Sequence, residues 1–339
     1  MIDYKLLEKL CKASGVSGDE DNVRQIIIDE IKPYVTDYKI DSIGNLIVSK
    51  KGKDRANTKL LLSAHMDEVG FIINNITDEG FLKFSTVGGI EKSVLCGKNV
   101  EVGKNKINGV IGAKPIHLLK PDEKDKAIDI ENLYIDIGAS SKEEAEKYVN
   151  LGDYTCFVPT FELNETSLKS KAIDDRIGCL ILIEMIKSDL PFDMTFSFVV
   201  QEEVGLRGST VAAYSVNPDS AIVVEATTAA DIPGSENKVC SLGQGAVVSF
   251  MDRGTIYDKE YFSLALNLAK SQNIKAQVKK AVAGGNDSAA IQRSQNGVRT
   301  LALSLPCRYI HSEMAIAFKD DIEALKELVF ETAINIAGK

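Results

Sequence analysis

The segment TFSFVVQEEVGLRG (195–208) begins as an apolar, β-branched run and ends abruptly in two adjacent carboxylates, Glu202 and Glu203. A run of that kind reads as a strand covered on both faces, as in a sheet layered between helices. Gly205 and Gly208 then break the strand and open a turn. In open α/β sheets, ligands bind just beyond the carboxyl ends of the strands. A carboxylate pair placed there points to chemistry, one acid to hold a metal and its neighbour to move a proton.

Helical periodicity covers 3–14 and 19–33, with Ser17 and Asp19 as expected caps. Residues 38–49 read as a hairpin around Gly44 and Asn45, and 59–64 as a short apolar strand. From about 69 to 161 the texture changes to short strands separated by Gly turns and charged loops, the pattern of a small β-barrel or β-sandwich. Only 140–150 looks helical there, with a capping box at Ser141 and Glu144. After Ser167 helices and strands alternate again: helix 175–188, strand 194–201, helix 207–215, strand 220–225, strand 245–251, helix 257–271, strand 274–280, helix 286–294, strand 299–305 and helix 319–338. The simplest architecture is an α/β domain interrupted by an inserted β-domain.

At 339 residues the chain exceeds one ordinary core, which agrees with two domains. Its net charge of −9 argues against a nucleic-acid partner and against an anionic membrane surface. The first residues lack the apolar core of a signal peptide, and no apolar run is long enough to span a bilayer. Cys11, Cys96, Cys156, Cys179, Cys240 and Cys307 are scattered without a CxxC pair, so they are expected to be reduced thiols, mostly buried, in a cytoplasmic protein.

Histidine occurs three times, and two of the three follow apolar strands: His65 in LLLSAHMDEVG and His311 in LALSLPCRYIHSE. Asp67 lies two residues beyond His65, on the same face of an extended chain. It can close a turn, or it can accept the free ring N–H of a ligating imidazole. Asp174 and Asp175 in KAIDDRIGC can cap a helix, but paired acids beside Arg176 also suit a site. Glu225 ends the strand of SAIVVEATTAAD and repeats the placement of Glu202 and Glu203. GGNDSAAIQ (284–292) is either an ordinary Gly-rich turn or a substrate-pocket loop built from Gly285, Asn286 and Asp287.

His65, Asp174, Glu203, Glu225 and His311 together make two imidazoles and three carboxylates, enough for two divalent metals if one carboxylate bridges. Mixed nitrogen and oxygen donors suit Zn²⁺, with Co²⁺ or Mn²⁺ as alternatives. Such a pair activates water for hydrolysis, and Glu202 is the spare carboxylate, free to carry the proton from water to a leaving amine. HExxH, GxSxG, P-loop and GxGxxG motifs are all absent.

The strings SAHMDEVGFI, KAIDDRIGC, VQEEVGLRG, VVEATTAAD, GGNDSAAI and RYIHSE resemble, in order and over essentially the whole chain, the cytosolic di-metal aminopeptidases of the glutamyl/deblocking type. That group includes the tetrahedral aminopeptidases and members carrying an old cellulase label. The resemblance implies a phosphorylase/hydrolase-like three-layer α/β/α catalytic domain over 1–68 plus 165–339. It also implies a small PDZ-like β-barrel inserted at 69–164, serving oligomerisation and substrate access. It implies His65 as a ligand of one metal with Asp67 as its orienting partner, and Asp174 as the bridging carboxylate, joined to Asp175 by a cis peptide. Glu202 would be the general base, and Glu203 and His311 would hold the second metal. Glu225 stands where many members have Asp. His117, in GVIGAKPIHL, falls in the inserted domain and is expected to be structural. The implied partners are peptides and further copies of the chain, as dimers or a hollow dodecamer. A preference for acidic N-terminal residues would require a cation in the pocket.

Two other functions use parts of this pattern. A glycoside hydrolase also needs paired carboxylates, but it needs no histidine–carboxylate set and favours aromatic platforms, and this chain has no Trp. A metal-binding homologue without activity would have no use for the spare Glu202.

Overall fold

The structure is a computed structural model that describes residues 1–118, 127–236 and 238–339. The chain starts with helices α1 (Tyr4–Lys12) and α2 (Asp21–Ile31), the hairpin of β1 (Tyr38–Ile40) and β2 (Leu46–Lys50), and β3 (Leu60–His65). Next come β4 (Gly70–Ile76), β5 (Leu82–Val87), β6 (Asn99–Val102), β7 (Ile107–Gly112), β8 (Tyr134–Asp136), the one-turn α3 (Lys142–Ala145) and β9 (Tyr154–Phe157). After β10 (Phe161–Leu163), β11 (Ser167–Ser170) and α4 (Ile173–Lys187), the chain alternates through β12 (Met194–Val199), α5 (Arg207–Val216), β13 (Ser220–Thr228) and β14 (Ala246–Val248). It closes with α6 (Lys259–Ser271), β15 (Ala276–Val278), α7 (Ser288–Gln292), β16 (Arg299–Cys307), β17 (Ala315–Phe318) and α8 (Lys319–Ala337).

Eight strands form the main sheet in the order β1-β2-β12-β3-β13-β16-β14-β15. Its centre, β12, β3, β13 and β16, is parallel, while β2 and β14 join antiparallel. Side chains alternate across it. Leu60, Leu62, Ala64, Ile222 and Val224 join α1, α2, α4, α6 and α8 in the larger core, and Leu61, Ala221 and Val223 join α5 and α7 in a smaller one. Each fully buried Leu, Ile or Val contributes about 2 kcal/mol of transfer free energy. Burial on both faces explains why these strands read as continuous apolar runs. α4 is apolar nearly all round because it lies between the sheet and its neighbours α1, α2 and α8.

β4, β5, β8, β7, β6 and β9 close into an antiparallel barrel with its own core. Phe71 packs edge-on against Phe84 and Phe157, with ring centroids 5.1 and 5.3 Å apart. Among the described residues, no helix is long and apolar enough to cross a membrane. His117 sits on an exposed single turn outside the site described below.

Two local expectations need correction. α1 is capped by Asp3, whose side chain accepts from Lys5 and Leu6, and the cap position of α2 is Glu20, which makes no side-chain cap bond, so neither Ser17 nor Asp19 serves. β13 runs three residues past Glu225, because the β-branched Thr227 and Thr228 continue the pairing with β16. The short sheet β10-β11-β17, formed by segments far apart in sequence, has no local signature that predicts it.

Candidate metal centre and active site

His65 is the last residue of β3 and pairs with Val199 of β12. On the other side β3 and β13 align Ser63 with Val223, so the same register carries Glu225 level with His65. Strand alternation puts both on the sheet face that belongs to α5 and α7. Glu202 and Glu203 follow the end of β12 in the turn before α5. Asp174 enters from the start of α4, where its backbone and that of Asp175 leave helical geometry and the peptide bond between them is cis. His311 arrives from the loop after β16 with a left-handed backbone, φ 59°.

The donor atoms of His65, Asp174 and Glu225 lie within 4.8 Å of one another, as do those of Asp174, Glu203 and His311, and those of His65, Glu202 and Glu203. Asp174 faces both histidines. One oxygen is 3.3 Å from His65 Nε2 and the other 3.5 Å from His311 Nε2. Glu225 Oε1 is 3.4 Å from His65 Nε2, and Glu203 Oε1 is 3.2 Å from His311 Nε2. Each imidazole turns its other nitrogen to a carbonyl, His65 Nδ1 to Asp67 at 3.1 Å and His311 Nδ1 to Gly89 at 2.9 Å. Those carbonyls only accept, so they fix the proton on Nδ1 and leave the Nε2 lone pair facing carboxylate oxygens.

That arrangement fits a cation. A neutral imidazole lone pair aimed at carboxylates is repulsive; a proton between them removes the conflict, and a divalent cation would take that proton's place. Glu225 Oε2 is buried without a hydrogen-bond partner. The acids are crowded away from water. Burial raises Glu202 well above the carboxylate range, raises Glu203, and raises Glu225 to about 8. Asp174 moves the other way: burial opposes its ionisation, but the contacts with His311 and His65 hold it low. Burial also opposes the charged form of His65 and His311. Their carboxylate neighbours outweigh it, raising His65 well above its ordinary value and His311 to about 11. Glu202 lacks any side-chain hydrogen bond or ion pair among the described residues.

Residues around the donor set hold the frame. Asp67 was expected to orient His65 through its carboxylate, but the nearer acceptor for Nδ1 is the Asp67 carbonyl, and the carboxylate is 3.5 Å away. That carboxylate instead accepts Ser17 Oγ and the backbone N–H groups of Glu202 and Glu203. Asp175, fully buried, accepts the backbone N–H groups of His65 and Gly178. Behind the site, Lys171 and Arg176 both pair with Glu68, and all three are buried. Gly89, in the loop after the barrel strand β5, supplies the carbonyl for His311. The neighbouring Gly88 has φ 82°, and a Cβ there would lie 2.8 Å from Val69 and 3.2 Å from the Cβ of Glu203. The spacing of G-G in STVGGIEK is a signal for that close approach, although it does not name the partner.

A cavity of about 1030 Å³ opens over these groups, lined by His65, Asp174, Glu202, Glu203, Glu225 and His311 together with Gly89 from the barrel side. Gly285 and Asn286 line it as well. Asp287 does not: it is fully buried beneath the loop with both oxygens unpartnered, and burial lifts it to about 6.

Known proteins resemble this chain over nearly its whole length. The family model described as M42 glutamyl aminopeptidase matches residues 44–328. A putative aminopeptidase of Acetivibrio thermocellus is 40% identical over 97% of this chain and 97% of its own. The TET aminopeptidase of the archaeon Thaumarchaeota archaeon SCGC AB-539-E09 superposes with a TM-score of 0.93 at 34% identity, covering 98% of both chains. The TET1 peptidase of Pyrococcus horikoshii, described as able to assemble into a tetrahedron or a large octahedral shell, superposes with a TM-score of 0.86 at 37% identity over 97% of this chain and 98% of that one.

Proposed function

This chain belongs to the M42 glutamyl aminopeptidase family and is a peptidase, and from that premise we propose that it removes residues one at a time from unblocked peptide N-termini at a two-cation site. The observation that carries the proposal is Asp174, whose two oxygens face two separate donor sets. His65, Asp174 and Glu225 would hold one divalent cation, and Asp174, Glu203 and His311 the other. Zinc suits the mixed donors best, with cobalt or manganese as alternatives. Bound there, the cations supply Lewis acidity to the scissile carbonyl and to the attacking water.

The residues of the chain do the rest. Glu202 reaches the cavity and has no side-chain partner among the described residues, so it takes a proton from the attacking water and returns it to the leaving amine nitrogen. Asp67 keeps Glu202 and Glu203 in place through their backbones. Gly89 keeps the Nε2 edge of His311 towards the acids. The free amine of the substrate sits against the site carboxylates, with the buried Glu225 in reach. The Gly285–Asn286 loop borders the substrate.

Residues 1–68 plus 165–339 form the catalytic domain in this reading, and 69–164 the inserted barrel that roofs the cavity and takes part in self-association, as dimers or a dodecamer. The assembly described for the Pyrococcus horikoshii relative supports that role. A reducing, cytoplasmic setting suits six unpaired cysteines.

The test is metal-stripped protein, reloaded with Zn²⁺ or Co²⁺ and assayed on unblocked and N-acetylated aminoacyl p-nitroanilides beside Glu202→Gln. Cleavage of unblocked substrates only, restored by metal and reduced at least about 100-fold in the variant, is the expected result. Full activity in Glu202→Gln would remove the proposal.

A further inference from the structure

In the loop 283–286 that lines the cavity, Gly284 and Gly285 are exposed, while Asn286 is only 6% exposed. A Cβ at either glycine would stand in open space, and glycine fixes a backbone poorly. The hold on the loop comes from the segment 252–257. Arg253 N–H donates to the Gly284 carbonyl at 3.0 Å, and Asn286 Nδ2 donates to the Tyr257 hydroxyl at 3.2 Å. That hydroxyl donates in turn to the carboxylate of Asp252, whose other oxygen accepts the backbone N–H groups of Gly254 and Thr255 at 2.8 and 2.7 Å. Tyr257 and Asp252 are both buried. Burial first, and the charge of Asp252 after it, hold the phenol well above its ordinary value, so it keeps the proton it donates. Asn286 Oδ1 accepts Ser288 N–H at 2.9 Å, so both ends of the amide are engaged by the frame.

We propose that Tyr257 is a positioning residue for peptide binding, acting through Asn286 to keep the 283–286 loop in the conformation that borders the substrate. The proposal rests on the aminopeptidase reading above. A loop free to leave that conformation binds peptide only in the fraction of molecules that hold it, and the apparent dissociation constant rises by the inverse of that fraction. Once the peptide is bound the loop is in place, so turnover at saturation changes little. Tyr257→Phe removes the hydroxyl and keeps the ring.

The test compares the wild type with Tyr257→Phe, Asn286→Ala and the double variant, all metal-loaded, on the best-cleaved unblocked aminoacyl p-nitroanilide. Alongside it, calorimetry follows binding of unblocked Xaa-Ala-Ala tripeptides to the same forms in a Glu202→Gln background. In Tyr257→Phe the KM should rise about fivefold to twentyfold, with kcat within about twofold of the wild type and bound metal unchanged by mass spectrometry. Asn286→Ala cuts the same link from the other side and should also raise KM at constant kcat, which keeps the test open if circular dichroism shows that Tyr257→Phe does not fold. The double variant should be no worse than Asn286→Ala alone.

A KM that neither substitution changes overturns the proposal, and so does a fall in kcat at constant KM. Effects of the two substitutions that simply add overturn it as well, because Tyr257 then acts by some route other than Asn286. Turnover of unblocked substrates with any of these results leaves the aminopeptidase reading standing. Tripeptide binding that weakens in Tyr257→Phe, with no turnover of any unblocked substrate by the wild type, sinks the aminopeptidase reading and keeps the role of Tyr257.

Discussion

The carboxylate of Asp67 accepts the backbone N–H of Glu202 at 3.0 Å, while its second oxygen accepts the N–H of Glu203 at 3.1 Å. One buried acid therefore sets the direction in which both members of the pair leave the end of β12. The contacts with Glu202, Ser17 and His65 favour the ionised form of Asp67; burial opposes it, and the net shift is downward. Asp67→Asn keeps the volume but has one acceptor oxygen where two are used. The variant should lose about 10- to 100-fold in both kcat and metal affinity, measured by steady-state kinetics at saturating metal and by isothermal titration. Unchanged values for both would show that Asp67 does not position the pair.

Glu68, Lys171 and Arg176 form a buried ion cluster that ties the residue after Asp67 to the segment carrying Asp174. Lys171 and Arg176 also donate to the carbonyl of Ala13, and Glu68 accepts Gly15 N–H, so the end of α1 is held as well. Glu68→Ala leaves two buried cations without their acid and should destabilise the fold by about 3–5 kcal/mol, read from guanidinium denaturation. In a double-mutant cycle with Lys171→Met the two effects should fall well short of additive.

Cation removal should act on stability as well as activity. Glu203 and Glu225 are buried acids facing Asp174, an arrangement that favours a bound cation. Chelation should lower the melting temperature, and readdition at about a hundred times the dissociation constant should restore about 2.7 kcal/mol, followed by calorimetry. His311→Ala should reduce the bound metal from two equivalents towards one, by mass spectrometry, because His65, Asp174 and Glu225 remain. A melting temperature indifferent to both chelator and zinc would count against the centre.

Much of this site is legible in the sequence, since its acids and histidines interrupt apolar strands where a core has no use for them. The strand exits at His65 and Glu202 are visible because parallel strands are apolar on both faces and end sharply. Glu225 misleads on the length of its strand: a lone acid looks like a terminus, but it lies inside β13 and aims at the site. The supporting contacts are not legible at all. Ser17 to Asp67, Gly89 to His311 and Glu20 to Gln201 each join residues 50 or more positions apart, and local periodicity carries no record of which loop a turn will meet.

Glu20 offers a pH test away from the proposed ligands. Its Oε1 accepts the backbone N–H groups of Gly18, at 2.7 Å, and of Gln201, at 3.1 Å, holding the left-handed residue (φ 56°) that precedes Glu202. Burial first, and the charge of Asp67 after it, lift this carboxyl to about 7, against the lowering effect of the two N–H bonds. A raised folded value means that the native state binds the proton more tightly than the unfolded chain. The stabilisation is therefore complete below the ordinary value of 4.5 and fades as pH climbs through about 7. Glu20→Gln retains an acceptor for both N–H groups and removes the titration. The stability of the variant relative to the wild type should rise between about pH 4.5 and 7 by up to about 3 kcal/mol and then level off, measured by urea denaturation across that range. A difference that stays flat with pH would show that Glu20 titrates alike in the folded and unfolded chain, and that its burial does not disfavour the charge.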